Sequence, residues 1–145
     1  MYHHHILRIV SKMLIPPILL FALYVQFHGD FGPGGGFQAG VIFAVAYILY
    51  ALVYGLDRMQ KVLPPVIVRI MAALGLLLYA GTGVASLFLG HPYLDYAALA
   101  HDAQHGQHLG IMLVEFGVGT TVSAVMILIF SAFADRPPAI EDRDW

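Results

Sequence analysis

One carboxylate stands inside an otherwise apolar run. Glu115 lies in Ile-Met-Leu-Val-Glu-Phe-Gly-Val-Gly-Thr-Thr, six residues into a hydrophobic segment that opens near Leu109. At 1.5 Å per residue that depth is about 9 Å. A charge held there in a bilayer costs roughly 2.5–3.5 kcal/mol, so such a side chain faces a partner or a water-filled path. Its chemistry would be to take up and release a proton, or to bind a cation. The plainer alternative is a structural carboxylate. Thr120 and Thr121 follow at a depth where hydroxyls could serve the same path, although threonine in a helix more often bonds its own backbone.

Three histidines precede the carboxylate. His101, His105 and His108 are spaced by four and three residues, and Glu115 lies seven beyond His108. On a helix that spacing shares one face, and imidazoles titrate near neutral pH. They could form a proton-collecting rim, or simply a polar loop. No H-E-x-x-H pattern and no third ligand at firm spacing support a metal site, and no cofactor is expected. His3, His4 and His5 read as solvated sequence or a remnant of cloning.

A second unusual stretch is His28-Gly-Asp-Phe-Gly-Pro-Gly-Gly-Gly-Phe-Gln-Ala-Gly40. A plain reverse turn needs about one glycine. Pro33 followed by Gly34, Gly35 and Gly36, then Phe37 and Gly40, suggests a backbone brought close to something. Gly36 and Gly40 have the spacing that lets helices approach closely in a membrane. The amides opening the next helix also carry the positive end of its dipole. A tight turn with close packing is the simpler reading, and it requires a surface to pack on.

These residues must be positioned by membrane helices. Of 145 residues, 59% are hydrophobic and only 11% charged, against about 25% charged in soluble domains. Apolar segments run over about 6–27, 36–56, 66–89 and 109–134, each near the roughly 20 residues that cross a bilayer. The expected fold is an all-α integral membrane protein: one four-helix domain over 1–135 and a short tail at 136–145. The first span lacks the layout of a cleaved signal. All seven Lys and Arg residues fall on one side if there are four crossings, which predicts N-in and C-in in a cell membrane. Asp57, Arg58 and Lys61 read as a short inner loop, and 102–107 could extend the last span outward. Pro16-Pro17 removes two backbone donors from span one, so a kinked or broken crossing is expected there, packed against protein.

Several functions are excluded. The sequence has no cysteine, no nucleotide-binding loop, no Gly-x-Ser-x-Gly elbow and no basic nucleic-acid face. No lysine lies in a membrane interior, Lys12 standing near the inner end of the first span. A proton route across about 30 Å needs several relay groups, so a chain with one intramembrane carboxylate reads as part of something larger.

The segment Gln26–Gly40 closely resembles the signature of the MnhB family, the B subunit of Mrp multisubunit sodium/proton antiporters, where a G-H-x-x-P-G-G-G-F-x-G-G-like stretch joins spans one and two. The resemblance extends to an acidic residue followed by G-V-G and threonines, here Glu115 to Thr121. His28 precedes Gly29 instead of following it, and Ala39 stands where the family has a second glycine. The resemblance implies a subunit of a secondary antiporter akin to the membrane arm of respiratory complex I, and not an enzyme. It also implies sister subunits that carry lysine and glutamate relays, membrane lipid as surroundings, and Na+ and H+ as cargo. Glu115 would line an ion path at a subunit boundary, and the glycine elbow would let the subunit dock. Three rivals remain: a related subunit of a hydrogenase or oxidoreductase, a small four-span drug/proton exchanger, and a purely structural subunit. The exchanger would place its glutamate in span one, which here has none.

Overall fold

The computed structural model describes residues 3–29, 34–100 and 102–136. Among them there are helices and no strands: α1 His3–Phe27, α2 Gly36–Tyr54, α3 Leu56–Val62, α4 Pro65–Phe88 and α5 Ala103–Ala134, with a 3-10 turn at Tyr96–Leu99 before α5. Four of these helices are long and apolar enough to cross a membrane. The chain is therefore an all-helical membrane-type fold, and the elements fall within a few residues of the expected spans.

Local chemistry sets the boundaries. α2 opens after Gly35, whose φ of 141° disfavours any side chain. It closes at Gly55 (φ 94°), whose N–H returns to the Ala51 carbonyl at 2.8 Å. The stretch expected as an inner loop is instead the short helix α3, with Asp57 in its first turn and Lys61 in its last, matching the helix dipole at both ends. Pro65 starts α4, where a missing N–H costs nothing. Asp102 caps α5 by accepting from the Gln104 N–H, so the last helix does reach out beyond Leu109. α1 runs unbroken through Pro16 and Pro17.

The helices form an open row, α1–α2–α5–α4, in which each packs mainly on its neighbours in that order. Specific contacts fix the directions. Gly36 lies on Glu115 and Gly40 on Gly119, so α2 and α5 run parallel. Gly75 lies on Gly117 while the Thr121 hydroxyl donates to the Ala72 carbonyl, so α4 is antiparallel to α5. The Tyr54 hydroxyl donates to the Arg8 carbonyl at 2.9 Å, which sets α1 against α2 head to tail.

What is buried in this row is mostly small. Ala22, Ala39, Ala44, Ala46, Ala51 and Ala124 are buried, together with Ser86 and Ser123 and the larger Met59, Val68 and Ile127, while most leucines and phenylalanines are wholly or partly exposed. Lipid tails are as apolar as leucine, so close approach of backbones, not burial of large side chains, drives the packing. Two backbone-to-backbone contacts show how close that approach is. A Cβ on Gly40 would lie 2.6 Å from the Gly119 carbonyl oxygen, and one on Gly75 would lie 2.7 Å from the Gly117 carbonyl oxygen. Met59 of α3 is 1% exposed and closes the end of the row away from the elbow, packing with Ala44, Ala51, Val68, Ala124 and Ile127.

α1 is the least covered element. Its described buried residues are Ser11, whose hydroxyl bonds the Leu7 carbonyl, and Ala22. The proline pair was expected to pack against protein, but in this chain alone Pro16 and Pro17 are exposed, and neighbouring Met13 is 72% exposed.

The α4–α5 contact supplies a direct test. Gly75→Val should push the helices apart against backbone atoms and cost about 1–3 kcal/mol, read as a lower thermal midpoint in detergent. Gly81→Ala, where an added Cβ meets nothing within 4 Å, should leave the midpoint unchanged or slightly raised.

Candidate functional site

The two unusual sequence stretches meet. The Glu115 carboxylate sits against the glycine elbow: a Cβ on Gly29 would lie 2.7 and 2.8 Å from its Oε1 and Oε2, and one on Gly35 would lie 3.1 Å from Oε1. Gly36 abuts the Glu115 backbone carbonyl so closely that any Cβ there would collide with it. The surface on which the elbow packs is therefore the chain's own last helix.

Helical geometry explains the meeting. Residues four apart share a face, whereas residues two apart lie roughly 200° apart, on opposite faces. Glu115 and Gly119 form one pair and face α2. Gly117 and Thr121 form the other and face α4. Gly119 thus touches Gly36, where its own added Cβ would lie 3.0 Å from the Gly36 carbonyl oxygen, and Gly117 touches Gly75 and Tyr79. Electrostatics favour the same placement. Gly35 caps α2 without a side-chain bond, so the first amides of α2 and the positive end of its dipole lie beside the Glu115 head group. Glu115 is half-buried.

The two threonines part company. The Thr121 hydroxyl faces α4, 3.4 Å from the Ala72 carbonyl. The Thr120 hydroxyl donates to the Phe116 carbonyl at 2.8 Å, and Thr120 lines a cavity of about 310 Å³ with Ala22, Leu23, Gln26, Gly40 and Ser123. Ser123 spends its proton on the Thr120 carbonyl at 3.0 Å. The cavity therefore adjoins Glu115 through Phe116 and Gly119 but offers few uncommitted donors. Gln26 is its most versatile polar group, with Oε1 2.6 Å from where a Cβ on Gly119 would sit.

The histidine rim is only partly described. His101 lies outside the described residues, as does Pro33. His105 and His108 are on the first turns of α5 and exposed, and the His105 Nδ1 is 3.1 Å from the capping Asp102 carboxylate. No group of three metal-ligating side chains occurs among the described residues. Of the remaining elbow residues, Gly34 and Phe37 lie away from Glu115: Gly34 approaches the Val25 carbonyl, and Phe37 is exposed.

Sequence reasoning missed Gly29, Gly117 and Gly119 as members of the site. The four-residue steps 115–119 and 117–121 were the available signal for the last two. Gly29 had none, because nothing local tells which helix an elbow will touch.

The connection between α4 and α5 closes the same end of the row. Tyr93 fills the notch at Gly83 and Tyr96 the notch at Gly110, and burial pushes the Tyr96 phenol up, aided by the nearby Tyr79 and Tyr93. Asp95 organises the turn. Its carboxyl is held below the ordinary 3.8 by the hydrogen bond with His91 and then by the Ala97 N–H. A depressed carboxyl stabilises the fold above its unfolded pKa, and that contribution is lost as pH falls through the folded value. Protection of the Ala97 amide from hydrogen exchange should therefore not depend on Asp95 protonation between about pH 5 and 8, and should decline only in acid below the ordinary 3.8. Asp95→Asn should remove that acid-side decline.

Comparison with known proteins follows the same residues. A family model described as "Domain related to MnhB subunit of Na+/H+ antiporter" matches residues 6–128. Curated relatives from Staphylococcus aureus strains Newman, JH1 and COL, each named "Putative antiporter subunit mnhB2", are 37% identical over 90 residues. That alignment covers 62% of this chain and 63% of each relative, so the match spans less than two thirds of their length. The family match takes in α1, the elbow and Glu115 alike, and the chain belongs to the MnhB family.

Proposed function

We propose that this chain is a non-autonomous subunit of a multisubunit Na+/H+ antiporter in a cell membrane, and that Glu115 takes part in moving H+ or Na+ at the boundary with a neighbouring subunit. The observation that carries this reading is the cradle around Glu115. A carboxylate within an apolar helix is backed by glycine backbone at the opening of α2 and is only half-buried. Oriented backbone dipoles favour its charge without needing to reorganise, and incomplete burial leaves it reachable from outside the chain. The names of the relatives support antiport as the activity. The basic residues support the N-in, C-in orientation, which puts the elbow and Glu115 at the outer end.

The rest of the chain favours a subunit over a self-sufficient transporter. Its two lysines, Lys12 and Lys61, lie at the end opposite the elbow, so a relay across the membrane must be completed by sister subunits. The open row also leaves broad apolar faces for neighbours and lipid. No cofactor enters this reading, and Na+ and H+ are cargo.

The same cradle favours a second reading, in which Glu115 only pins the elbow to α5. Antiport in inverted membrane vesicles separates the two. With sister subunits still co-purifying, Glu115→Ala and Glu115→Gln are each expected to lose about tenfold or more of Na+-driven H+ movement, a barrier change of about 1.4 kcal/mol or more. An assembled Glu115→Ala complex with normal transport would leave the pinning role alone standing.

A further inference from the structure

The glycines around Glu115 do not all do the same job. Gly36 meets the backbone of Glu115, and the nearest atoms are its carbonyl oxygen, carbonyl carbon and Cα. Gly35 has a positive φ, so any side chain there strains the chain. Gly29 differs on both counts. Its backbone is not in the left-handed region, and the atoms nearest an added Cβ are Oε1, Oε2 and the carboxyl carbon of Glu115, at 2.7, 2.8 and 3.1 Å. A methyl group at position 29 would thus meet first the far end of a flexible side chain. The helices would stay where they are and the carboxylate would move.

From this we infer that Gly29 is a positioning residue: the missing side chain at position 29 fixes where the Glu115 carboxylate rests at the mouth of the elbow. The inference deepens the ion-path reading of Glu115 and rests on it for its functional consequence. Gly29 lies before the Pro-Gly-Gly-Gly core and belongs to no helix. It acts through Glu115 and is assigned no contact with an ion. Because a shift of about 1 Å at a reacting group can cost on the order of a hundredfold in rate, a residue that sets this position controls transport without carrying charge.

The test is a double-mutant cycle in the assembled complex, using Gly29→Ala, Glu115→Asp and the pair. Two readouts are taken: Na+-driven H+ movement in vesicles, and the rate at which dicyclohexylcarbodiimide labels position 115, followed by mass spectrometry. Shortening the side chain by one methylene withdraws the carboxylate from the new methyl. Gly29→Ala in the native background is expected to assemble, to change the labelling rate severalfold and to lose about tenfold in transport. In the Glu115→Asp background the same alanine is expected to change either readout less than twofold. Gly36→Ala, which strikes backbone, is expected to impair assembly in both backgrounds.

Native labelling in the Gly29→Ala complex, or the same loss in both backgrounds, would overturn the inference. If Gly29→Ala alone fails to assemble, rescue by Glu115→Asp supports it and failure of the pair overturns it. If labelling shifts while transport ignores both Gly29→Ala and Glu115→Ala, the positioning role stands and the ion-path reading falls instead.

Discussion

The fold depends on how closely α5 lets its two neighbours approach. Gly117 and Gly119 are two residues apart, hence on opposite sides of the helix, and each side admits a backbone: Gly75 of α4 on one, Gly36 and Gly40 of α2 on the other. Contacts of this kind gain dispersion energy from many atoms at once and need no large side chain. They also fix register more sharply than leucine packing would, because a carbonyl meeting a glycine Cα tolerates little sliding. α5 is thereby the axis of the row, and residues that share a face with those glycines are held in register with the neighbouring helix. Glu115 is one such residue, one turn before Gly119 on the face toward α2.

This arrangement reverses the pattern familiar from soluble helices, where an apolar stripe marks the inward face. Here the helices are apolar all round, and smallness marks the inside. Alanine, glycine and serine are buried, while Phe88 is 89% exposed and Leu20 68% exposed. The buried hydroxyls bond carbonyls of their own helices, Ser86 to Thr82 and Ser123 to Thr120, and among the described residues no buried side-chain polar atom lacks a partner. The core is therefore narrow and fully satisfied. It holds the row together without closing it into a bundle, so α1 remains attached chiefly through α2.

These differences explain what could be read in advance. The number of long apolar helices follows from the length of apolar runs, a one-dimensional property, and the four expected are the four that occur among the described residues. The caps Asp102, Gly55 and Pro65 act within their own turns. α3 was not legible, because a seven-residue segment with three charges looks like a loop until Met59 is seen to pack beneath it. Of the kink or break expected at Pro16-Pro17, the break does not occur: α1 stays helical there. A proline pair takes away at most two helix bonds, and whether the helix persists depends on the rest of the run. At the site, residue types marked Glu115 and the elbow as unusual, but nothing tied one to the other. Thr121 was grouped with Glu115 by proximity in sequence, whereas its six-residue offset turns it about 120° away from Glu115 and toward α4.

The meeting of elbow and carboxylate also bears on why such a chain would carry so many glycines at one junction. An elbow that only reversed the chain could use ordinary turn residues. One that must lie against a carboxylate within an apolar helix has a stricter task, since any side chain at positions 29 or 36 would occupy the place of Glu115 itself. Glycine also exposes backbone amides, and amides at a helix opening are the least costly way to favour negative charge in a membrane, since they bring no countercharge that must itself be desolvated. Under the proposed function, that placement puts the carboxylate within reach of a proton or a cation from a neighbouring subunit.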